Sequence, residues 1–174
     1  MDHLLAGLVK ARVPAVRAGA PVGWRADDCS ARARELGRYS LDVIGREAAR
    51  GAGDQASEFR EAQQRALKRA RVLCATCVGA GAKSLQRLRF TSVLVDEAAH
   101  ATELATLVGV ARGAERLVLV GDPCQLPPSE RGGGASRSLF ERLRGRWPAV
   151  LLETQYRAHP ALARFPSLRF YGGR

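Results

Sequence analysis

From residue 72 onward the chain repeats one pattern, a short apolar run followed by a polar break. The runs are VLCATC (72–77), SVLVDE (92–97), LVLVGD (117–122) and AVLLET (149–154). None alternates strictly between apolar and polar positions. Continuous Val- and Leu-rich runs of this length suit strands buried on both faces of a parallel sheet. Between the runs the spacing turns helical. Residues 57–71 place Phe59, Ala62, Ala66 and Ala70 on one stripe, with Ser57 as the N-cap and Glu61–Arg65 as an i,i+4 pair. Residues 98–111 read as a helix after the second strand. Residues 138–146 open on Ser138-x-x-Glu141, the spacing of a capping box. Strands alternating with helices predict an α/β fold.

Upstream the pattern is weaker. A short strand is expected around residues 13–17, and residues 20–56 read as an irregular, partly helical insertion with mixed charges. Gly132–Gly134 reads as a loop. The 174 residues correspond to about one domain, with 46% hydrophobic residues to build a core. No apolar stretch reaches the ~20 residues that span a bilayer, so no membrane partner is expected. The N-terminus lacks a secretory layout. Four cysteines do not make a disulfide scaffold, which points to a reducing, intracellular location, cytoplasm or nucleus. Cys74-x-x-Cys77 lacks two further ligands at suitable spacing, so structural zinc is not expected.

Charge refines this picture. The net +11 is unevenly spread: residues 1–71 carry 14 basic and 9 acidic side chains, residues 72–130 carry 5 and 6, and residues 131–174 carry 9 and 2. Basic flanks suit a polyanionic partner such as nucleic acid, although an arginine-rich composition has the same effect on the total. The near-neutral centre keeps its acids at strand ends. Three of the four runs reach a polar residue there, at Thr76, Asp96 and Asp122. In open parallel sheets, ligands bind just beyond those carboxyl ends.

Asp96-Glu97 is the strongest chemical signal. A strand that delivers two adjacent carboxylates offers one to hold Mg²⁺ and one to orient and activate an attacking water. The same pair could simply cap a helix. The second signal is Gly121-Asp122-Pro123-Cys124-Gln125-Leu126-Pro127-Pro128, whose Asp122 lies 26 residues after Asp96. Gly121 and Pro123 shape a rigid turn, and Gln125 can hydrogen-bond a phosphate oxygen or the water. The third is Leu152-Glu153-Thr154-Gln155-Tyr156-Arg157-Ala158-His159-Pro160, followed by Phe170-Tyr171-Gly172-Gly173. Arg157 could stabilise the charge of a transferred phosphoryl group, and Tyr156 could stack on a base.

In this order, the three blocks resemble the motor of superfamily-one helicases, in the 5′-to-3′ group of the nonsense-mediated-decay helicase and senataxin. VLVDEAAHATE is similar to motif II, LVLVGDPCQLPP to motif III, and LLETQYRAHPALARFPSLRFYGG to the entry into the second RecA-like lobe. ASRSLFERL matches the helix after motif III. Ala75–Gly81 resembles motif Ic, and residues 2–19, with Arg17-Ala18-Gly19, resemble the end of motif Ia and the following strand. The resemblance implies a RecA-like P-loop NTPase lobe over residues 1–150, with 20–70 inserted, and the start of a second lobe over 151–174. It implies ATP and Mg²⁺ as cofactors and single-stranded RNA or DNA as partner. Asp96 would serve Mg²⁺, Glu97 the attacking water, and Gln125 and Arg157 the γ-phosphate. Gly121, Asp122, Gln155 and Tyr156 would lie about the nucleotide. Thr76, Cys77, Val78 and Gly79 would follow the nucleic-acid backbone, which fixes register without reading sequence.

The chain departs from the pattern in two places. His100 stands where the family usually has Gln, which gives DEAAH a likeness to the superfamily-two DEAH box; motif III and QYRAHP argue against that assignment. Motif I is absent. A phosphate loop needs a glycine-rich turn ending in Gly-Lys-Ser/Thr, and Gly81-Ala82-Lys83-Ser84 has neither its spacing nor its place in the motif order. The fold is therefore expected to be incomplete, lacking the first strand and P-loop. The chain reads as an interior piece of a longer helicase, from a truncated gene model or a decayed copy. Length argues against a complete two-lobe motor, and the 174 residues alone are not expected to hydrolyse ATP. The alternative is a non-catalytic nucleic-acid-binding or scaffold remnant of the lobe.

Overall fold

The computed structural model describes residues 1–20, 30–128 and 137–174. The glycine-rich stretch 132–134 and Cys29 lie outside the described residues. The chain divides into two compact units, Met1–Arg89 and Phe90–Arg174.

The first unit is built on two parallel strands, β1 (Ala15–Arg17) and β2 (Val72–Cys74), with Ala15 opposite Val72 and Arg17 opposite Cys74. Helices α1 (Asp2–Lys10), α2 (Ala31–Gly37), α3 (Leu41–Ala49) and α4 (Gln55–Arg69) surround that pair. Successive strand residues feed opposite faces. Ala15 and Cys74 join Leu5 and Leu36 on one side, while Val16 meets Leu41 and Leu85 on the other. Here the expectation of burial on both faces holds. Full burial of a leucine such as Leu5 contributes about 1.5–3 kcal/mol.

Arg17 ends β1 with its guanidinium nearly sealed from solvent, at 4% exposure. A buried charge needs partners. Its Nε donates to Asp2 Oδ1 at 2.8 Å, and its Nη1 donates to the carbonyls of Gly19 and Ala20. Asp2 is also the first-turn acid of α1, so one carboxylate serves the helix dipole and the buried cation.

The expected insertion is helical over α2 and α3, each opened by a serine cap: Ser30 accepts from Ala33 N–H and Ser40 from Val43 N–H. Helices α3 and α4 approach closely because Gly45 lacks a side chain; a Cβ there would lie 2.7 Å from the Phe59 ring. Helix α4 starts earlier than the stripe suggested. Its N-cap is Asp54, whose carboxylate accepts from Ser57 N–H at 3.0 Å, so Ser57 is a first-turn residue and not the cap. Gly7 is the opposite case to Gly45. It is exposed within α1, with nothing within 4 Å of a built Cβ. Gly7→Ala is therefore expected to stabilise the chain by about 0.5–1 kcal/mol, read as a higher denaturant midpoint.

The second unit contains β3 (Ser92–Val95) and β4 (Arg116–Leu119), parallel, with Leu94 opposite Val118. Helix α5 (Glu103–Val110) connects them, α6 (Leu139–Leu143) follows, and α7 (Pro160–Phe170) ends the chain. Glu103 and Arg142 join α5 to α6 through two contacts of 2.8 Å, the paired geometry that favours arginine. Ser138 caps α6 by accepting from Glu141 N–H, as its spacing predicts.

Three expectations for this unit are corrected. Only one face of the β3–β4 pair is covered: Leu94 and Val118 are 58% and 51% exposed, whereas Val95 is buried. The helix expected over 98–111 begins at Glu103, capped by Thr102, because the backbone after Val95 is consumed by a tight turn. The run 149–154 is not a strand. It has no ladder partner among the described residues, and Val150 is 88% exposed; apolar composition cannot supply the hydrogen bonds that define a strand.

Candidate active site

Strands β3 and β4 run in the same direction, so their carboxyl ends deliver two loops to one edge. The ladder continues past the strands: Val120 N–H donates to the Val95 carbonyl, and Ala98 N–H donates back to the Val120 carbonyl, both at 2.8 Å. Gly121 fits where these loops close on each other. A Cβ on it would lie 2.8 Å from the Ala99 nitrogen and 3.2 Å from that of Ala98. Asp96-Glu97 and Gly121–Gln125 are thus brought together by backbone packing.

Asp96 and Glu97 both face solvent. Asp96 Oδ1 accepts from Glu97 N–H at 3.1 Å, and Oδ2 has no hydrogen-bond partner among the described residues. Glu97 is held in the left-handed region, at φ 54°. A side-chain-bearing residue there costs about 1–2 kcal/mol, and such strain gathers at functional sites. Arg12, at φ 57°, lies just past α1 and shows that the outlier alone proves nothing. What distinguishes Glu97 is its place at a strand end among carboxylates. His100 Nδ1 lies 3.6 Å from Glu97 Oε2, beyond a good hydrogen bond.

Asp122 is the best-connected side chain of the pair of loops. Its Oδ1 accepts from Cys124 N–H at 2.9 Å; its Oδ2 accepts from Gln125 Nε2 at 2.9 Å and from the Tyr171 hydroxyl at 2.6 Å. Burial pushes this carboxyl upward, but the hydrogen bonds from Tyr171, Cys124 and Gln125, with the nearby His100, bring it below the ordinary 3.8. Tyr171 responds in the opposite direction, raised to about 12 by its bond to Asp122, by burial and by the carboxylate charge. A depressed carboxyl adds stability above its unfolded pKa and loses it as pH falls through the folded one. The stability gap between the wild-type chain and Asp122→Asn, present at about pH 5, is therefore expected to close as pH falls below 3.8. Thermal unfolding across that range checks it.

The third block is exposed. Gln155 Oε1 accepts from the N–H groups of Arg157 and Ala158, and its Nε2 donates to the Ala158 carbonyl at 3.0 Å. Gln155 therefore shapes the turn. His159 caps α7 by accepting from Ala161 N–H, and Pro160 takes the first helical position. Tyr156 is 91% exposed, and neither its side chain nor that of Arg157 bonds another side chain among the described residues.

In the first unit, Thr76 Oγ1 accepts from Gly79 N–H at 3.0 Å and the Thr76 carbonyl accepts from Ala80 N–H. A Cβ on Gly79 would lie 2.7 Å from Thr76 Oγ1, so a larger residue there would have to turn the hydroxyl away from its bond to the residue-79 N–H. The Thr76 hydroxyl keeps its proton to donate. Val78 is exposed; Cys77 is half-buried, and burial raises its thiol.

The residues fit Mg²⁺ in the way that ion is usually held, by one or two carboxylates together with substrate phosphates, because Asp96 offers a free, exposed oxygen at the loop edge. Among the described residues, no group of three or more His, Cys, Asp or Glu side chains is placed to hold a metal by itself. No helix of the described residues is long and apolar enough to cross a membrane. Tyr171 had no role in the sequence reading. It stands 49 residues from Asp122, and no spacing rule connects them.

The structure thus packs an acidic strand end against a Gly-Asp-Pro-x-Gln turn. Two family models, each described as an AAA domain, match residues 31–129 and 135–174. The regulator of nonsense transcripts 1 homolog of Drosophila melanogaster is 49% identical over 125 residues, covering 66% of this chain and 10% of the relative. The helicase SEN1 of Saccharomyces cerevisiae is 38% identical over 122 residues, 66% of this chain and 6% of the relative. The ATP-dependent helicase upf1 of Schizosaccharomyces pombe is 44% identical over 119 residues, 64% of this chain and 13% of the relative. The chain belongs to the family described as AAA domain, and together with these relatives it groups with superfamily-one helicases of the nonsense-mediated-decay and senataxin type. It spans about a tenth of the length of these relatives.

Proposed function

We propose that this chain is part of the motor of an ATP-dependent nucleic-acid helicase or translocase. Residues 1–150 would belong to its first RecA-like lobe, and 151–174 would begin the second. The observation that carries this reading is the closure of the Asp96-Glu97 loop on the Gly121–Gln125 loop, with Gly121 at the point of contact. In this reading Asp96 holds Mg²⁺ together with the nucleotide phosphates. Bound there, the ion supplies charge neutralisation at the β- and γ-phosphates. Glu97 orients the attacking water and takes its proton. Gln125 meets the γ-phosphate or that water, held by Asp122 in a turn that Gly121 allows. Arg157 brings positive charge to the γ-phosphate, Gln155 fixes the turn that carries it, and Tyr156 offers a flat face to the adenine.

Thr76, Cys77, Val78 and Gly79 form the contact to single-stranded RNA or DNA. The Thr76 hydroxyl and the backbone N–H groups of the turn suit phosphate oxygens, which is binding without base readout. The cysteines described, Cys74, Cys77 and Cys124, are free thiols, which suits a reducing compartment, cytoplasm or nucleus.

The sequence holds no glycine-rich loop ending in Gly-Lys-Ser/Thr, so these residues supply only part of a phosphate site. The 174 residues alone are expected to show no ATP hydrolysis stimulated by nucleic acid. Stimulated hydrolysis by the purified chain, abolished by Glu97→Gln, would overturn the assignment of a partial site. Joined to such a loop in a longer protein, the same residues are expected to support it.

A further inference from the structure

We propose that Tyr171 is a positioning residue for Gln125, acting through Asp122. The proposal rests on the reading above for what Gln125 does, but not for how Gln125 is held.

The geometry runs in one line. Tyr171 OH donates to Asp122 Oδ2 at 2.6 Å, and Gln125 Nε2 donates to the same oxygen at 2.9 Å. Oδ1 is occupied by Cys124 N–H at 2.9 Å, so the carboxylate is gripped at both oxygens and cannot turn freely. Pro123 restricts the backbone between Asp122 and Cys124. A second tie acts beside the first, with Cys124 Sγ 3.6 Å from the Phe170 carbonyl. The end of α7 therefore holds the Gly121–Gln125 loop at two points, Asp122 and Cys124.

The chemistry decides which way Gln125 points its amide. An ionised carboxylate only accepts hydrogen bonds. Asp122 is kept ionised by its donors, so Gln125 must turn Nε2 toward it. The carbonyl oxygen Oε1 is then left without a partner among the described residues, as an acceptor for the O–H of a water or ligand. Without the Tyr171 hydroxyl, Asp122 loses one of three donors and the restraint on its plane. The carboxylate, still ionised but free to swing, would then hold Gln125 Nε2 more loosely, and the carboxamide would move more freely. A structural role alone would let Tyr171 support α7 without any effect on the Gln125 amide. The positioning role ties the two together.

The test uses the purified 174-residue chain labelled with ¹⁵N. The Gln125 side-chain amide signals are assigned by their loss in Gln125→Glu. In Tyr171→Phe, which keeps the ring and removes only the hydroxyl, the two amide protons are expected to move toward each other in chemical shift. Their exchange with solvent is expected to quicken about tenfold or more, the factor for losing restraint from a hydrogen bond to a charged group. Asp122→Asn is expected to move the same signals, since an amide in place of the carboxylate no longer dictates the Gln125 orientation. It serves as the second variant should Tyr171→Phe not fold. Gln125 signals that stay in place in Asp122→Asn, or in a folded Tyr171→Phe, would overturn the proposal. Nucleotide is absent from the experiment, so failure here and failure of the ATP reading are separate results.

Discussion

Gly121→Ala is expected to destabilise the second unit by about 1–3 kcal/mol, the usual cost of forcing a group into a packed site. The conflict is with backbone. The new Cβ would lie 2.8 Å from the Ala99 nitrogen, 3.2 Å from the Ala98 nitrogen and 3.3 Å from the Ala99 Cβ. No rotamer change can relieve a clash with a nitrogen that is part of the chain. The Asp96-Glu97 loop must shift, and Ala98 N–H is pulled from the Val120 carbonyl, which it meets at 2.8 Å. Chemical denaturation reads the loss directly. A change of less than a few tenths of a kcal/mol would mean that the two loops do not close as described. Gly7→Ala is the control of opposite sign, because that position is open.

This contact also explains what the sequence could and could not say about the site. The runs at 92–97 and 117–122 were legible as strands because Val and Leu on a short stretch leave few other folds. Their acidic ends were legible because polar residues rarely close such a run without reason. The closure between them was not legible: Gly121 reads equally well as a turn glycine, and only the distance to Ala99 shows that it serves a close approach. Helix boundaries failed for a related cause. Asp54 and Ser57 are both good caps, and the backbone of Ser57 donating to Asp54 decides between them. Residues 98–101 are rich in alanine, a strong helix former, yet the turn set by Glu97 at φ 54° delays the helix to Glu103. The run at 149–154 failed because a strand needs a partner, which composition does not report. Tyr171 sits within the Phe170–Gly173 block, but a bond across 49 residues leaves no mark in spacing.

The same turn leads to the largest expected effect. In a longer protein that adds the phosphate loop, Glu97→Gln is expected to lower ATP turnover about 10²–10⁴-fold, the range for removing a general base. Nucleotide binding should be kept. Glutamine has the shape of glutamate, and among the described residues the Glu97 carboxylate makes no short contact that the fold depends on, its partner there being His100 Nδ1 at 3.6 Å. The left-handed backbone at φ 54° is as costly for Gln as for Glu, so the substitution leaves stability nearly unchanged. Glu97→Gly separates the two roles of the position. Glycine enters the left-handed region freely, so this variant is expected to be more stable by about 1 kcal/mol while losing as much turnover. A rise in stability together with a loss of activity is the signature of strain kept at a reacting residue. If turnover survives Glu97→Gln, the base lies elsewhere. If Glu97→Gly is less stable than the wild type, the carboxylate itself holds the turn, and the acidic pair is structural.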